Sequence, residues 1–381
     1  MSLQKISLLL AASLTVMSGA TLAAALPAIA REFSDVDRID LLVRLVLTLP
    51  ALFIAVTAPL AGRLADQLGR RNLLMVCLVL YAIGGTSGFF LDDLYLILAG
   101  RALLGISIGG VMTVTVSLVG DYFTGDERNS FLSIQSAFMA LGGLIFLSLG
   151  GVLADISWRY PFCVYAFSLM VLLLAYFFLP EPTKTNKRAS TFTEKLPLLA
   201  WFIYLAALFG IIGFYIVPVQ LPFYLEEKGV TSATTVGIVL GMVTLSAAIA
   251  SLLYTRLRQF VGYRQVILLS FTIMGISYSL VSIMPNYWTI AIVMFISGLG
   301  AGLVMPNSNV WLLAITPERI RGQAVGGLTS AIFLGQFLSP IMTAPLITLG
   351  GLSGIFLYGG IIMVILGGIF FMLCPVFGKK Y

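Results

Sequence analysis

Hydrophobic positions along this chain come in long runs broken by short polar texts. Twelve such runs are legible, roughly at 6–30, 41–62, 72–91, 95–120, 130–154, 161–179, 197–223, 234–256, 265–284, 288–314, 323–346 and 352–376. Each is near the ~20 residues that a helix needs to cross a bilayer, and far longer than the ~10-residue alternating segments of barrel strands. The predicted architecture is an all-α membrane protein with twelve transmembrane helices. The first run has Lys5 before it and small residues at Ala23 to Ala28, as a signal peptide would. It is too long for a signal core, and no soluble domain follows, so it reads as an uncleaved span.

The longest polar interruption is Pro180 to Pro197 (PEPTKTNKRASTFTEKLP). It reads as a linker, and the predicted domains are 1–179, a linker at 180–196, and 197–381. An internal repeat supports this division. A shift of 193 residues lays Arg63–Arg71 over Arg256–Arg264, Gly105–Met112 over Gly298–Met305, Arg128 over Arg321 and Gly142 over Gly335. Asp66 then meets Gln259. One offset serving separated places implies two six-helix halves in parallel orientation.

Composition agrees with the pattern. Apolar residues make up 59% of the chain and charged residues only 10%, against about a quarter charged in soluble domains, and the mean hydropathy is +1.04. Charge then orients the spans. Sixteen of the 22 lysines and arginines fall on the side that carries both termini, while Glu32, Asp35, Asp37, Asp40, Asp92, Asp93, Glu226 and Glu227 collect on the other. The positive-inside rule makes both termini cytoplasmic in a multi-pass cell-membrane protein. Topology therefore accounts for the +6 net charge, and no nucleic-acid partner is implied. Cys77, Cys163 and Cys374 read as small buried hydrophobes. The chain has no histidine, no Cys/His metal set, no phosphate-binding GxxxxGK[ST] loop and no nucleophile with its base. No cofactor, metal or enzymatic activity is expected.

The one strongly polar stretch between early spans is Gly62–Arg71, GRLADQLGRR. Its glycines permit a sharp turn, and Asp66 suits a helix start. A plain basic turn is the alternative reading. The stretch resembles the Gly-x-Leu-Ala-Asp-x-x-Gly-Arg-Arg/Lys signature of the major facilitator superfamily of secondary transporters, matched by Gly62, Leu64, Ala65, Asp66, Gly69, Arg70 and Arg71. The resemblance covers essentially the whole chain. It implies two pseudo-symmetric six-helix bundles, alternating access around a mid-membrane substrate site, and a gate in which Asp66, Arg70 and Arg71 join Asp121, with Arg128 nearby.

Charges inside spans are costly, about 2.5–3.5 kcal/mol even on insertion scales. Arg101 lies about 9 Å into the fourth span at ~1.5 Å per residue. With Gly105 it resembles the arginine–glycine pair of the drug-exporting branch, for which the resemblance implies a part in proton transfer. A structural arginine satisfied by carbonyls is the alternative. Arg44, nearer an outer end, suits a substrate site or snorkelling equally. No acid lies deep in a span, so a coupling carboxylate would be Asp40, Asp155 or Asp121. Leu104 replaces the polar residue usual before Gly105, and Phe146-Leu147 replace the Gly-Pro pair of proton antiporters. Gln135 and Met139 share a helical face with Gly142 and Phe146, as Tyr204 does with Tyr215. With Arg101, Asn307, Trp311 and Gln336 they are cavity-lining candidates, packing being the alternative.

The expected function is proton-driven export of a small organic compound, drug-like or a secreted metabolite such as a siderophore. The alternative is an organic-anion carrier without proton antiport. The expected partners are that substrate, protons and membrane lipids, and the expected state is a monomer.

Overall fold

The computed structural model describes residues 2–182 and 196–377. The side chains of residues 20, 129, 140 and 374–377, that of Cys374 among them, fall outside the described ones. The linker interior, with Lys184, Lys187, Arg188 and Lys195, falls outside the described residues, as do Lys379 and Lys380. The chain divides into two compact units, Met1–Ala189 and Ser190–Tyr381.

The first unit holds α1 (Leu3–Glu32), α2 (Ile39–Leu68), α3 (Arg70–Phe90), α4 (Leu94–Tyr122), α5 (Gly125–Ile156) and α6 (Tyr160–Phe178). The second holds α7 (Leu198–Glu227), α8 (Ala233–Leu257), α9 (Tyr263–Val281) and α10 (Tyr287–Ile315), then α11 (321–349) and α12 (352–377). The last two run together except at Gly350 and Gly351, whose φ values are −161° and +64°. A glycine at positive φ breaks the helix with no side-chain clash. Twelve apolar helices result, with no strand among the described residues.

Side-chain caps mark several starts. The Ser2 hydroxyl accepts from Lys5 N, Asp93 from Leu96 N at 2.9 Å, Ser232 from Thr235 N, and Asn286 from Thr289 N at 3.1 Å. Each satisfies a donor that the helix leaves unpaired. α1 is interrupted by a tight turn at Ala23–Ala25 just ahead of Pro27, where proline removes a backbone donor. Large apolar side chains such as Leu252 (81% exposed) and Trp288 (73%) cover the outer faces. In a multi-pass membrane protein those faces meet lipid.

Two sequence expectations need correction. Gly62 and Asp66 are not in a turn: α2 continues through them to Leu68, because Ala61 and Ala65 keep its buried stripe going. Gly69 alone makes the turn, at φ +90°. Cys163 is exposed rather than buried, on the outward side of the first turns of α6.

The repeat is visible in the packing. α4 crosses α2, and α10 crosses α8. A Cβ on Gly105 would stand 2.4 Å from the Pro50 carbonyl oxygen, and one on Gly298 would stand 2.4 Å from that of Val243. Both pairs are related by the same 193-residue offset. Small residues let membrane helices approach this closely.

Candidate functional site

Three clusters of polar side chains, among others in the described residues, hold site residues that the sequence suggests. The first surrounds the α2–α3 turn. Gly69 ends α2 and starts α3, so Arg70 and Arg71 expose the first free N–H groups of α3. Both donate to one carboxylate, Glu181, at 2.7 and 3.0 Å. A negative charge at a helix N-terminus contributes about 0.3–1 kcal/mol. A Cβ at position 69 would meet a Glu181 oxygen at 2.9 Å, the movable end of a flexible side chain, so it is the φ of +90° that calls for glycine there.

The Arg70 guanidinium turns the other way. It pairs with the Asp121 carboxylate, donates to Ser117 O at 3.3 Å and lies 3.8 Å from Asp66. Asp121 and Arg70 are 17% and 28% exposed, and Asp66 is 74% exposed. Arg70–Asp121 is therefore the main bond, and Asp66 contributes a few tenths of a kcal/mol, about 0.3, as an i,i+4 partner. Arg71 donates to Tyr176 O at 2.5 Å and lies 5.3 Å from that ring's centre. The Tyr122 hydroxyl donates to Pro180 O. Arg128 is exposed on α5, near Gly120. Lys5 pairs with Glu127 at 2.8 Å. Glu181, Ser117 and Tyr176 were not among the sequence candidates. Glu181 was in plain view as the acid of Pro180-Glu181-Pro182, directly after an apolar run.

The second cluster centres on Arg101, which is wholly buried. Its Nε donates to Val46 O at 2.8 Å and its Nη2 to Ser18 O at 2.9 Å. The Tyr165 ring lies 5.1 Å away, and the Tyr165 hydroxyl also donates to Ser18 O. Nη1 is buried without a hydrogen-bond partner. The guanidinium thus joins α1, α2, α4 and α6 through carbonyls and an aromatic face, with no carboxylate paired to it among the described residues. Arg44 is buried on α2; it donates to Asp40 O and lies 3.6 Å from the Asp40 carboxylate. Asp40 and Asp155 are both exposed. No Asp or Glu is buried among the described residues.

The remaining candidates divide between the units. Gln135 is buried with Oε1 unpartnered, and Met139 is half-buried. In the second unit, the Tyr204 hydroxyl donates to Ala324 O at 2.7 Å. Tyr215 is half-buried beside Phe214, and Gln336 is buried. Asn307 and Trp311 form the third cluster, where Asn307 bridges the Tyr254 hydroxyl and Tyr263 O, and Trp311 stacks on Tyr263. A cavity of about 10 Å³ lies beside Asn307 between α7, α9 and α10, room for one water.

A duplicated bundle of apolar helices, with an ionic turn between its second and third spans, is the build of a secondary transporter. The chain belongs to the Major Facilitator Superfamily, whose sequence pattern matches residues 8–235 and again 203–380. Among relatives, the tetracycline resistance protein, class C, of Escherichia coli is 26% identical over 83% of each chain. The bacillibactin exporter of Bacillus subtilis is 31% identical over 32% of each. Vacuolar basic amino acid transporter 2 of Saccharomyces cerevisiae is 30% identical over 35% of this chain but only 28% of its own length, and the match to the efflux transporter pyiT of Pyricularia grisea spans 34% of that protein. A bacterial homologue of the human lysosomal transporter Spinster is similar in fold, with a TM-score of 0.81 at 15% identity over 98% of this chain and 96% of that one.

Proposed function

We propose that this transporter exports a small organic compound, drug-like or a secreted metabolite such as a siderophore, in exchange for protons and by alternating access. The observation that carries the reading is the alignment with the tetracycline resistance protein, which runs through 83% of both chains. The bacillibactin exporter is a second relative named for export, similar over 32% of each chain. The Asp66–Arg70–Asp121 network supplies an element that can hold one state and release it, because a partly exposed ion pair is strong enough to bias an equilibrium and weak enough to break. With no carboxylate buried among the described residues, the coupling acid would be Asp121, Asp155 or Asp40 at a span end. The further proposal is a monomer in the cell membrane with both termini cytoplasmic, its halves joined by 180–196.

A second reading, an organic-anion carrier without proton antiport, is favoured by the same absence of a buried acid and by two buried arginines, Arg44 and Arg101. Flux into proteoliposomes separates the two, with tetracycline, bacillibactin and a dicarboxylate as probes. Antiport predicts that an acid interior drives uptake of tetracycline or bacillibactin, and that a protonophore abolishes it. Dicarboxylate flux indifferent to the pH gradient, with no uptake of the other two, would replace the first reading by the second.

A further inference from the structure

The two units share a fold but not the chemistry of their matching turns. Under the 193-residue offset, Asp66, Arg70 and Asp121 fall on Gln259, Tyr263 and Ala314. Every member of the ionic triangle is replaced by an uncharged residue. One element survives the comparison: Arg71 donates to Tyr176 O at the end of α6, and Arg264 donates to Phe371 O at the end of α12 at 2.8 Å, each guanidinium lying over the ring of the residue it binds. The second unit therefore has the outer tether but, among the described residues, none of the inner ion pairs.

Something else holds its α8–α9 turn. Asn307, 1% exposed on α10, accepts from the Tyr254 hydroxyl at the end of α8 (3.2 Å) and donates to the carbonyl of Tyr263, the first residue of α9 (3.1 Å). One amide so ties three helices. The Tyr263 ring has two partners: the Arg258 guanidinium lies 3.7 Å from its centre, and the Trp311 indole stacks on it at 5.4 Å with 4° between planes. Arg258 also donates to Val261 O within the turn. No carboxylate pairs with Arg256, Arg258 or Arg264 among the described residues. A fully buried amide making two hydrogen bonds is costly to remove, since each partner is left unsatisfied. A cation over a stacked pair of rings is a short-range contact.

We infer that Asn307 and Trp311 are positioning residues of an acid-free clamp on the α8–α9 turn, not ligands of the substrate, so that screening of charge loosens the turn of the first unit alone. Dissolved salt shortens the reach of surface charges from about 10 Å at 0.1 M to about 3 Å at 1 M. It acts on the partly exposed Arg70 pairs and leaves a buried amide and stacked rings alone.

Amide hydrogen exchange on the full chain in lipid nanodiscs tests it, with a mid-helix segment of α9 as reference. Raising NaCl from 0.1 to 1 M is expected to speed exchange of residues 66–73 about threefold and leave 258–266 unchanged. Equal acceleration of both segments, or of 258–266 alone, overturns the inference. Asn307→Ala is expected to speed 258–266 about tenfold with 66–73 unaltered, and an unchanged 258–266 would count against it. Trp311→Phe keeps a ring on Tyr263 and should exchange like the native chain, whereas Trp311→Leu should loosen the segment. Equal loosening by both variants removes the stack from the inference. The salt comparison needs no variant, so it decides the question even if Asn307→Ala fails to fold.

Discussion

Glu181 and Arg71 cap each other's helices. The carboxylate serves the N-terminus of α3, and the guanidinium serves one carbonyl in the last turn of α6, that of Tyr176. Each places its charge where the helix dipole favours it. Glu181→Gln keeps the shape and one acceptor but loses the charge. It is expected to cost about 0.5–1 kcal/mol, read as a lower unfolding temperature in detergent; an unchanged transition would mean that water replaces the carboxylate at no loss. Asp66→Asn acts differently. Its pair with Arg70 is long and exposed, so stability should stay within about 0.5 kcal/mol while the transport rate falls, and a native rate would take Asp66 out of the gate. At Arg101, Lys keeps the charge but lacks the planar fork that reaches Ser18 O and Val46 O together. Loss of folded protein in Arg101→Lys comparable to that in Arg101→Met would assign the residue's weight to its hydrogen bonds. Asp66 and Arg70 were legible because they sit in a short motif, whereas Asp121, 51 residues from Arg70, was legible only through the family resemblance. Glu181 was not, because it meets Arg70 from 111 residues away, and no local spacing signals such a partner. The carbonyl partners of Arg101 were equally hidden: sequence marks a charge in a span but not the backbone groups that receive it.

Among the elements, α2 teaches the most. The polar text from Gly62 onward suggests a loop, yet the helix persists to Leu68 because its buried alanine stripe continues while the polar residues take the exposed side. Amphipathic continuation beyond the apolar run is what a hydropathy reading misses. The matched glycines of α4 and α10 were legible from the repeat alone. Their reason, a carbonyl of the neighbouring helix where a Cβ would go, required the packing. Gly105→Val and Gly298→Val are each expected to force the helices apart and sharply lower the yield of monodisperse protein, by the cost of overpacking, about 1–3 kcal/mol or more. Gly326→Val, which meets nothing within 4 Å, is the matched control. Equal yields from all three would refute the close-approach argument.

For the whole molecule, the number and order of spans were legible because lipid demands long apolar runs and charge marks their ends. What each unit does with its duplicated turn was not, since the replacement of an ionic triangle by a ring stack depends on side chains from α8, α9 and α10 meeting at one place. Membrane sidedness is a whole-chain property with a direct check. Single cysteines at the exposed positions Arg63 and Arg319 should react with an impermeant maleimide only from the cytoplasmic face, and ones at Asp37 and Asp92 only from the opposite face, in a background lacking the native cysteines. Labelling of Arg63→Cys and Arg319→Cys from opposite faces would undo the parallel duplication.

The corner at Gly350–Gly351 carries one more implication. Helix resumes immediately on both sides of it, so the hairpin of α11 and α12 has no slack to pay out. Lengthwise travel of either arm must drag the other along, as one tine of a tuning fork drags its twin. A flexible insert of several residues spliced into that corner would uncouple the two arms without touching a single side chain that they bury.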